Sequence, residues 1–173
     1  MSESPSGLRR FQFSSDDANS FRRDFLPILT GFSLTGDPDL KDFSSKYKGV
    51  VGIYFWVMRH DVATYKIYIG KTKSLADRLL NYTSRFQPHS PNDHKLQLFQ
   101  SFIVELLPGA ELDLYFSRQD LSNLTHAETN SNRRYRPLFF GLPPPSAEAK
   151  AELKKAFDSY YRAAFEGTLK HRD

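Results

Sequence analysis

The stretch "GVVGIYFWVMRHDVATYKIYIGKT", residues 49 to 72, constrains the fold more than any other part of the chain. Val50 to Met58 is a near-continuous apolar run, the pattern of a buried strand. "TYKIYIG" shows the partial alternation of a second strand, and the polar link "RHDVA" predicts an antiparallel hairpin. Each strand carries a Gly and a Tyr, as Gly52-Ile53-Tyr54 and Tyr68-Ile69-Gly70. "TKSLADRLLNYTSRF" predicts a helix that Thr72 or Ser74 can cap, with Leu75, Leu79 and Tyr82 facing one way. "HKLQLFQSFIVELL" predicts a second helix stopped by Pro108-Gly109, and "ELDLYFS" alternates as a third strand. "DLSNLTHAETNSNRRYR" reads as a helix capped by Asp120 or Ser122 and ended by Pro137, and "SAEAKAELKKAFDSYYRAAFEG" as a final amphipathic helix.

Ahead of the hairpin, residues 1 to 13 read as a flexible arm. "SSDDANSFRRDFLPILTGF" has a Ser cap, acids in the first turn, and Phe21, Phe25, Ile28 and Leu29 at helical spacing. Pro27 blurs where that helix ends. Residues 31 to 48 read as a turn-rich connector. The expected fold is α+β: a small three-stranded antiparallel sheet flanked by helices, with extra N- and C-terminal helices and no parallel crossover units. The expected division is an arm at 1–13, an N-terminal helix and connector at 14–48, a central domain at 49–141, and the C-terminal amphipathic helix at 142–173.

Composition narrows the function classes. With 39% hydrophobic and 14% aromatic residues, the chain can build one real core and is not of disordered type. It has no Cys, which excludes disulfides, thiolate nucleophiles and Cys zinc sites. The five histidines, His60, His89, His94, His126 and His171, show no paired zinc spacing. The opening "MSESPSGLRR" lacks the apolar core of a signal peptide, and no apolar run approaches the roughly 20 residues that span a bilayer. An intracellular protein, cytoplasmic if bacterial, is therefore expected. Net charge of +4 and a pI near 9.2 permit a polyanionic partner without requiring one. No Gly-rich phosphate loop, Ser nucleophile elbow or metalloprotease helix motif appears.

Several residues around the hairpin point to phosphate chemistry. Tyr54 and Tyr68 lie on adjacent strands, so pairing across the hairpin brings their hydroxyls toward one face. Gly70 frees the backbone at the end of the second strand, and Lys71-Thr72 follow where a helix begins, a natural phosphate site. Arg78 and Tyr82 are four apart and share a helix face, and Arg78 suits a phosphodiester oxygen. Two tyrosines, a Lys, an Arg and one carboxylate can hydrolyse phosphodiesters, with the charged groups balancing charge that develops on the phosphate. Each Tyr taken singly is more often a packing residue; the combination in order carries the argument.

That combination resembles the GIY-YIG nuclease family. The likeness covers roughly residues 49 to 140, with "GIY" at 52 to 54 and "YIG" at 68 to 70 both intact. "YIGKTKSLADRLLNY" is similar to the family pattern of YIG, Lys, a short turn, then Arg with an aromatic four residues on. The resemblance implies a layered domain around a three-stranded sheet that cuts DNA with one divalent metal, Mg²⁺ or Mn²⁺, held by a single Glu. In "HAETNSNRRYRP" that Glu is Glu128, nine residues before Pro137. Tyr54 is then the general base or orienter of the attacking water. Tyr68 supports it, Arg78 clamps the scissile phosphate, and Lys71 and Tyr82 assist. Arg133, Arg134 and Arg136, directly after Glu128, are the best candidates for further DNA contacts; the basic C-terminal helix (Lys150, Lys154, Lys155, Arg162) and Arg9, Arg10, Arg22 and Arg23 rank below them. A DNA partner and a homodimer that cuts both strands are the expected associations.

The chain departs from the family pattern at two places. Phe140 stands where the family usually carries an Asn three residues after the Pro, and "TNSN" follows Glu128 in place of apolar residues. Asn132, one turn beyond Glu128, is a candidate substitute for the missing Asn. The alternative reading is a module on the same scaffold that binds nucleic acid without cutting it. Glu105, Glu111 and Asp113 rank below Glu128 as ligands, the latter two as a solvent-facing pair on the third strand. His126 and Glu128, two apart on a helix, diverge by about 200° and are not expected to share a metal.

Overall fold

A computed structural model of the chain describes residues 6–34, 39–83, 95–140 and 152–167. The hairpin forms as expected, from β2 (Gly52–His60) and β3 (Ala63–Thr72). With β1 (Leu26–Leu29) and β4 (Glu111–Arg118) it makes a sheet of order β1-β4-β2-β3, all pairs antiparallel. β2 is thus paired on both sides and covered on both faces. That accounts for its unbroken apolar run, because neither face of the strand meets water.

The sheet has four strands rather than the three expected. The first predicted helix stops early, as α1 (Ser15–Asp24), and its tail becomes β1. Pro27 explains the switch. It cannot donate to a helical ladder, and it biases the residue before it toward extended backbone. The spacing of Phe21, Phe25, Ile28 and Leu29 is therefore only accidentally helical. A register shift between Pro27 and Leu29 lets both Ile28 and Leu29 pack on the core.

Two further expectations are corrected. The connector at 31–48 contains a helix, α2 (Lys41–Tyr47), whose Phe43 and Tyr47 rings, one turn from each other, meet at a tilt with centroids 4.6 Å apart. The arm at 1–13 is structured from Ser6 onward. A 3-10 turn, Ser6–Phe11, buries Leu8 and Phe11, and Gly7 lies so close to the last helix that a Cβ there would meet the Phe165 carbonyl at 2.2 Å. The remaining helices are α3 (Leu75–Thr83), α4 (Lys95–Leu106), α5 (Leu124–Tyr135, entered through a 3-10 turn at Leu121–Asn123) and α6 (Leu153–Phe165). His89, His94, Lys150 and His171 lie outside the described residues.

Alternation along β2 sorts the core onto two faces. Tyr54, Trp56 and Met58 face one layer, with α3, α4, α6 and the N-terminal turn. Ile53, Phe55 and Val57 face the other, with Phe21 and Phe25 from α1 and beyond, and Leu124 and Tyr135 of α5. Gln100 ties α4 to the chain after β1: its side-chain carbonyl accepts from Leu34 N at 2.7 Å and its amide donates to the Phe32 carbonyl at 2.8 Å. Asp113, expected on a solvent face, is buried. Its carboxylate accepts from Arg59 and from the Gly31 N–H at 2.8 Å, so it is a structural anchor between β4, β2 and the turn after β1. Among the described residues no helix is long and apolar enough to cross a membrane.

Candidate active site

The hairpin register sets the geometry of the two tripeptides. Tyr54 is opposite Gly70, and Trp56 is opposite Tyr68, with a shift in register between Trp56 and Val57. The tyrosines are therefore diagonal neighbours, not a direct pair, and their rings meet edge-on with centroids 5.9 Å apart. Gly70 exists to make room for Tyr54. A Cβ on Gly70 would sit 2.2 Å from the Tyr54 hydroxyl and 2.4 Å from its Cζ. Gly52 has a similar reason: its Cβ would meet the Ser117 carbonyl at 2.2 Å and the Phe116 ring at 2.5 Å. Both glycines permit close approach.

Helix α3 brings Arg78 and Tyr82 over the same spot. The Arg78 Nε donates to the Tyr54 hydroxyl at 3.0 Å, and its Nη2 donates to the Tyr82 hydroxyl at 3.1 Å. The two hydroxyls are 2.9 Å from each other. The guanidinium carbon lies 4.7 Å from the Tyr82 ring centroid, a cation–π contact. Tyr54 and Tyr82 are 1% and 4% exposed, while Arg78 is half-buried. The planar fork of Arg reaches both phenols through two different nitrogens and keeps further N–H groups free. This cluster brings together four of the six expected catalytic residues: Tyr54, Tyr68, Arg78 and Tyr82.

Burial pushes the Tyr54 phenol well above its ordinary value, with the neighbouring Tyr68 adding to the shift and Arg78 opposing it. Burial does the same to Tyr82 and to Tyr161 of α6. For Arg78 burial acts downward, but the phenols of Tyr54 and Tyr82 outweigh it and hold the guanidinium protonated. A group whose folded pKa is raised stabilises the fold below its unfolded value, and that stability is lost as pH climbs through the folded value. The unfolded phenols titrate near 10.0. Thermal stability is therefore expected to fall with pH above about 10. Melting curves from pH 8 to 11.5 on wild type and Tyr161→Phe test this; the variant should show the shallower decline.

The other two expected residues form a second cluster. Lys71 follows Gly70 on β3, so its side chain leaves the opposite face, toward α5. There its Nζ lies 3.1 Å from Glu128 Oε2 and donates to Thr125 Oγ1 at 3.0 Å. Leu124 and Tyr135 hold α5 against that face of the sheet and so place Glu128 at the β3 edge. The two clusters thus share the end of one edge strand, joined through Tyr68, Gly70 and Lys71. Thr125 is a partner that sequence reasoning missed. Its only signal was its position three residues before Glu128 on a helix.

The remaining candidates are not part of these clusters. Arg134 donates to Ser20 on α1, Arg136 caps α5 in a left-handed conformation with φ 45°, and Arg133 is exposed. Asn132 donates to the Glu128 carbonyl at 3.2 Å, which ties its amide to the helix backbone. Phe140 is 38% exposed, and its N–H closes a turn on the Pro137 carbonyl. Its neighbour Phe139 does touch the site. It packs on Tyr68 at 5.3 Å and stacks on Tyr161 at 5.6 Å, tying the site to α6. Arg162 lies over Phe102, Lys155 is exposed, and Arg23 pairs with Asp24. Among the described residues no three of His, Asp and Glu converge as a metal-holding group. No family model, curated protein or solved structure matches the chain.

Proposed function

We propose that the chain is a divalent-metal-dependent DNA endonuclease of the GIY-YIG type. The observation that carries this reading is the Arg78 guanidinium, fixed by two buried tyrosine hydroxyls at the strand end that also bears the Lys71–Glu128 pair. Arg78 has further N–H groups beyond the two used by Tyr54 and Tyr82, and these can clamp a phosphate bidentately. Tyr54 and Tyr82 are positioning residues that act through Arg78. With its pKa pushed up, Tyr54 is a neutral phenol at pH 7, which suits orienting more than proton abstraction. Tyr68, half-buried beside them, is the phenol closer to solvent.

Glu128 fits a single-carboxylate Mg²⁺ or Mn²⁺ site. It is a hard oxygen donor, about a quarter exposed, with the other positions left to waters and substrate phosphate. The cation would neutralise charge on the reacting phosphate. Lys71, against the same carboxylate, helps position it and lends charge to the DNA backbone. Two copies of the chain would supply one such site per strand.

The test is a plasmid and branched-DNA cleavage assay with Mg²⁺ or Mn²⁺, with wild type beside Glu128→Gln. Metal-dependent cutting by wild type, reduced to background in the variant, is the expected result. The ion pair of Glu128 with Lys71 also favours a second reading, a module that binds nucleic acid without cutting. Retained DNA with no cleavage across substrates and both metals would select it.

A further inference from the structure

Along α5, at the β2–β4 end of the sheet, lies a cleft of about 370 Å³. That is within the usual range of small-molecule pockets, about 300–1,000 Å³. One wall is a stripe along α5, His126, Asn130 and Arg134, spaced i, i+4, i+8. His126 and Asn130 are joined at 2.8 Å. The lining at the start of α5 holds Asn123, Gln119 and Ser117 in a hydrogen-bonded chain, with the Asn123 amide donating to Gln119 and the Gln119 amide donating to Ser117. The apolar lining comes from Phe25, Ile53 and Ala127. Tyr135 also lines it, and its buried hydroxyl has no hydrogen-bond partner. An unpaired buried hydroxyl is unusual and costs stability.

The chemistry of this lining is specific. A groove for phosphate backbone would be multiply basic. This cleft has one guanidinium, Arg134, and one carboxylate, Asp24, so its charge is nearly balanced. What it offers in abundance is side-chain amides, each both donor and acceptor, over an apolar and aromatic surface. Amides pair with the edges of bases, and unstacked bases settle on apolar and aromatic surfaces. Arg134 keeps N–H groups beyond the one it gives Ser20, enough for a single phosphate.

We propose that the cleft between α5 and the β2–β4 end of the sheet binds one unstacked nucleotide, its base edge read by Asn123 and Asn130 and its phosphate met by Arg134. The inference rests on the nuclease reading, in which this nucleotide belongs to the DNA being cut. A site built on the helix that carries Glu128 would hold a nucleotide close to the scissile bond and so select sequence there.

The experiment is an NMR titration of the full chain with dAMP, dGMP, dCMP and TMP, and with deoxyribose 5-phosphate and inorganic phosphate as controls. At least one nucleotide should shift the side-chain amide signals of Asn123 and Asn130 saturably, with deoxyribose 5-phosphate about tenfold weaker or worse. Asn130→Ala and Asn123→Ala, checked for an unchanged melting curve, should each weaken that nucleotide by up to about tenfold, the worth of one or two hydrogen bonds. Equal binding of inorganic phosphate and nucleotide, shifts confined to other residues, or no binding would overturn the proposal. A chain that binds nucleotides here but cuts no DNA would overturn the nuclease reading and leave the cleft standing.

Discussion

Gly70→Ala should destabilise the fold by about 3 kcal/mol, or roughly 6–12 °C in Tm for a chain of this length. The added methyl would lie 2.2 Å from the Tyr54 hydroxyl and 2.4 Å from Cζ. The Tyr54 ring has no easy retreat, because Tyr68 and Tyr82 meet it edge-on at 5.9 and 6.0 Å and Arg78 holds its hydroxyl. Gly70 has no left-handed backbone, so the whole effect is steric. Gly49 makes the contrasting control. It has φ +67° and open space around it, so Gly49→Ala should cost only about 1–2 kcal/mol of backbone strain. Trimming the obstacle should relieve the clash, so Gly70→Ala combined with Tyr54→Leu should be less destabilised than the sum of the two single changes. Strict additivity in denaturant melts would mean that Tyr54 is not what Gly70 accommodates.

On the nuclease reading proposed above, Arg78→Ala should lower DNA cutting by about 10²–10³-fold or more, the usual cost of removing a preorganised group that stabilises transition-state charge. Its effect on stability should be far smaller, about 1–2 kcal/mol, because Tyr54 and Tyr82 keep their mutual hydrogen bond at 2.9 Å. DNA binding, measured by fluorescence anisotropy, should persist. Arg78→Lys should restore little activity, since a point charge cannot bridge the two phenols and still present a planar face to phosphate. Cutting at the wild-type rate by Arg78→Ala would remove Arg78 from the site. A collapse of stability with parallel loss of cutting would make it a structural residue.

The hairpin and its glycine–tyrosine pairs were legible because β2 and β3 carry their environment in their patterning: an apolar run for a central strand, alternation for an edge strand. Arg78 and Tyr82 were legible because four residues is one helical turn. β1 was not, because Phe21, Phe25, Ile28 and Leu29 fit a helix by spacing, and only Pro27 argues otherwise. α2 was hidden for a different reason. Its sole apolar signal is Phe43 with Tyr47, too short a stripe to stand out in a turn-rich segment. The burial of Asp113 could not be read locally, since its partners Arg59 and Gly31 are far away in sequence. The same holds for the meeting of Lys71 with Glu128 and Thr125, which depends on which face of the sheet α5 covers.

The two borders of the sheet have a bearing on how copies of this chain meet one another. Along β3, the N–H groups of Leu138 and Phe139 already bond the Lys66 and Ile67 carbonyls, and Gln12 and Phe13 pair with Tyr65 and Thr64. Along β1 the exposed border is four residues long and includes a proline. Among the described residues neither border offers a long row of open backbone groups to a neighbouring molecule. Self-association through a continuous intermolecular sheet, the usual route to fibrils and tangled aggregates, is therefore blunted along both described borders.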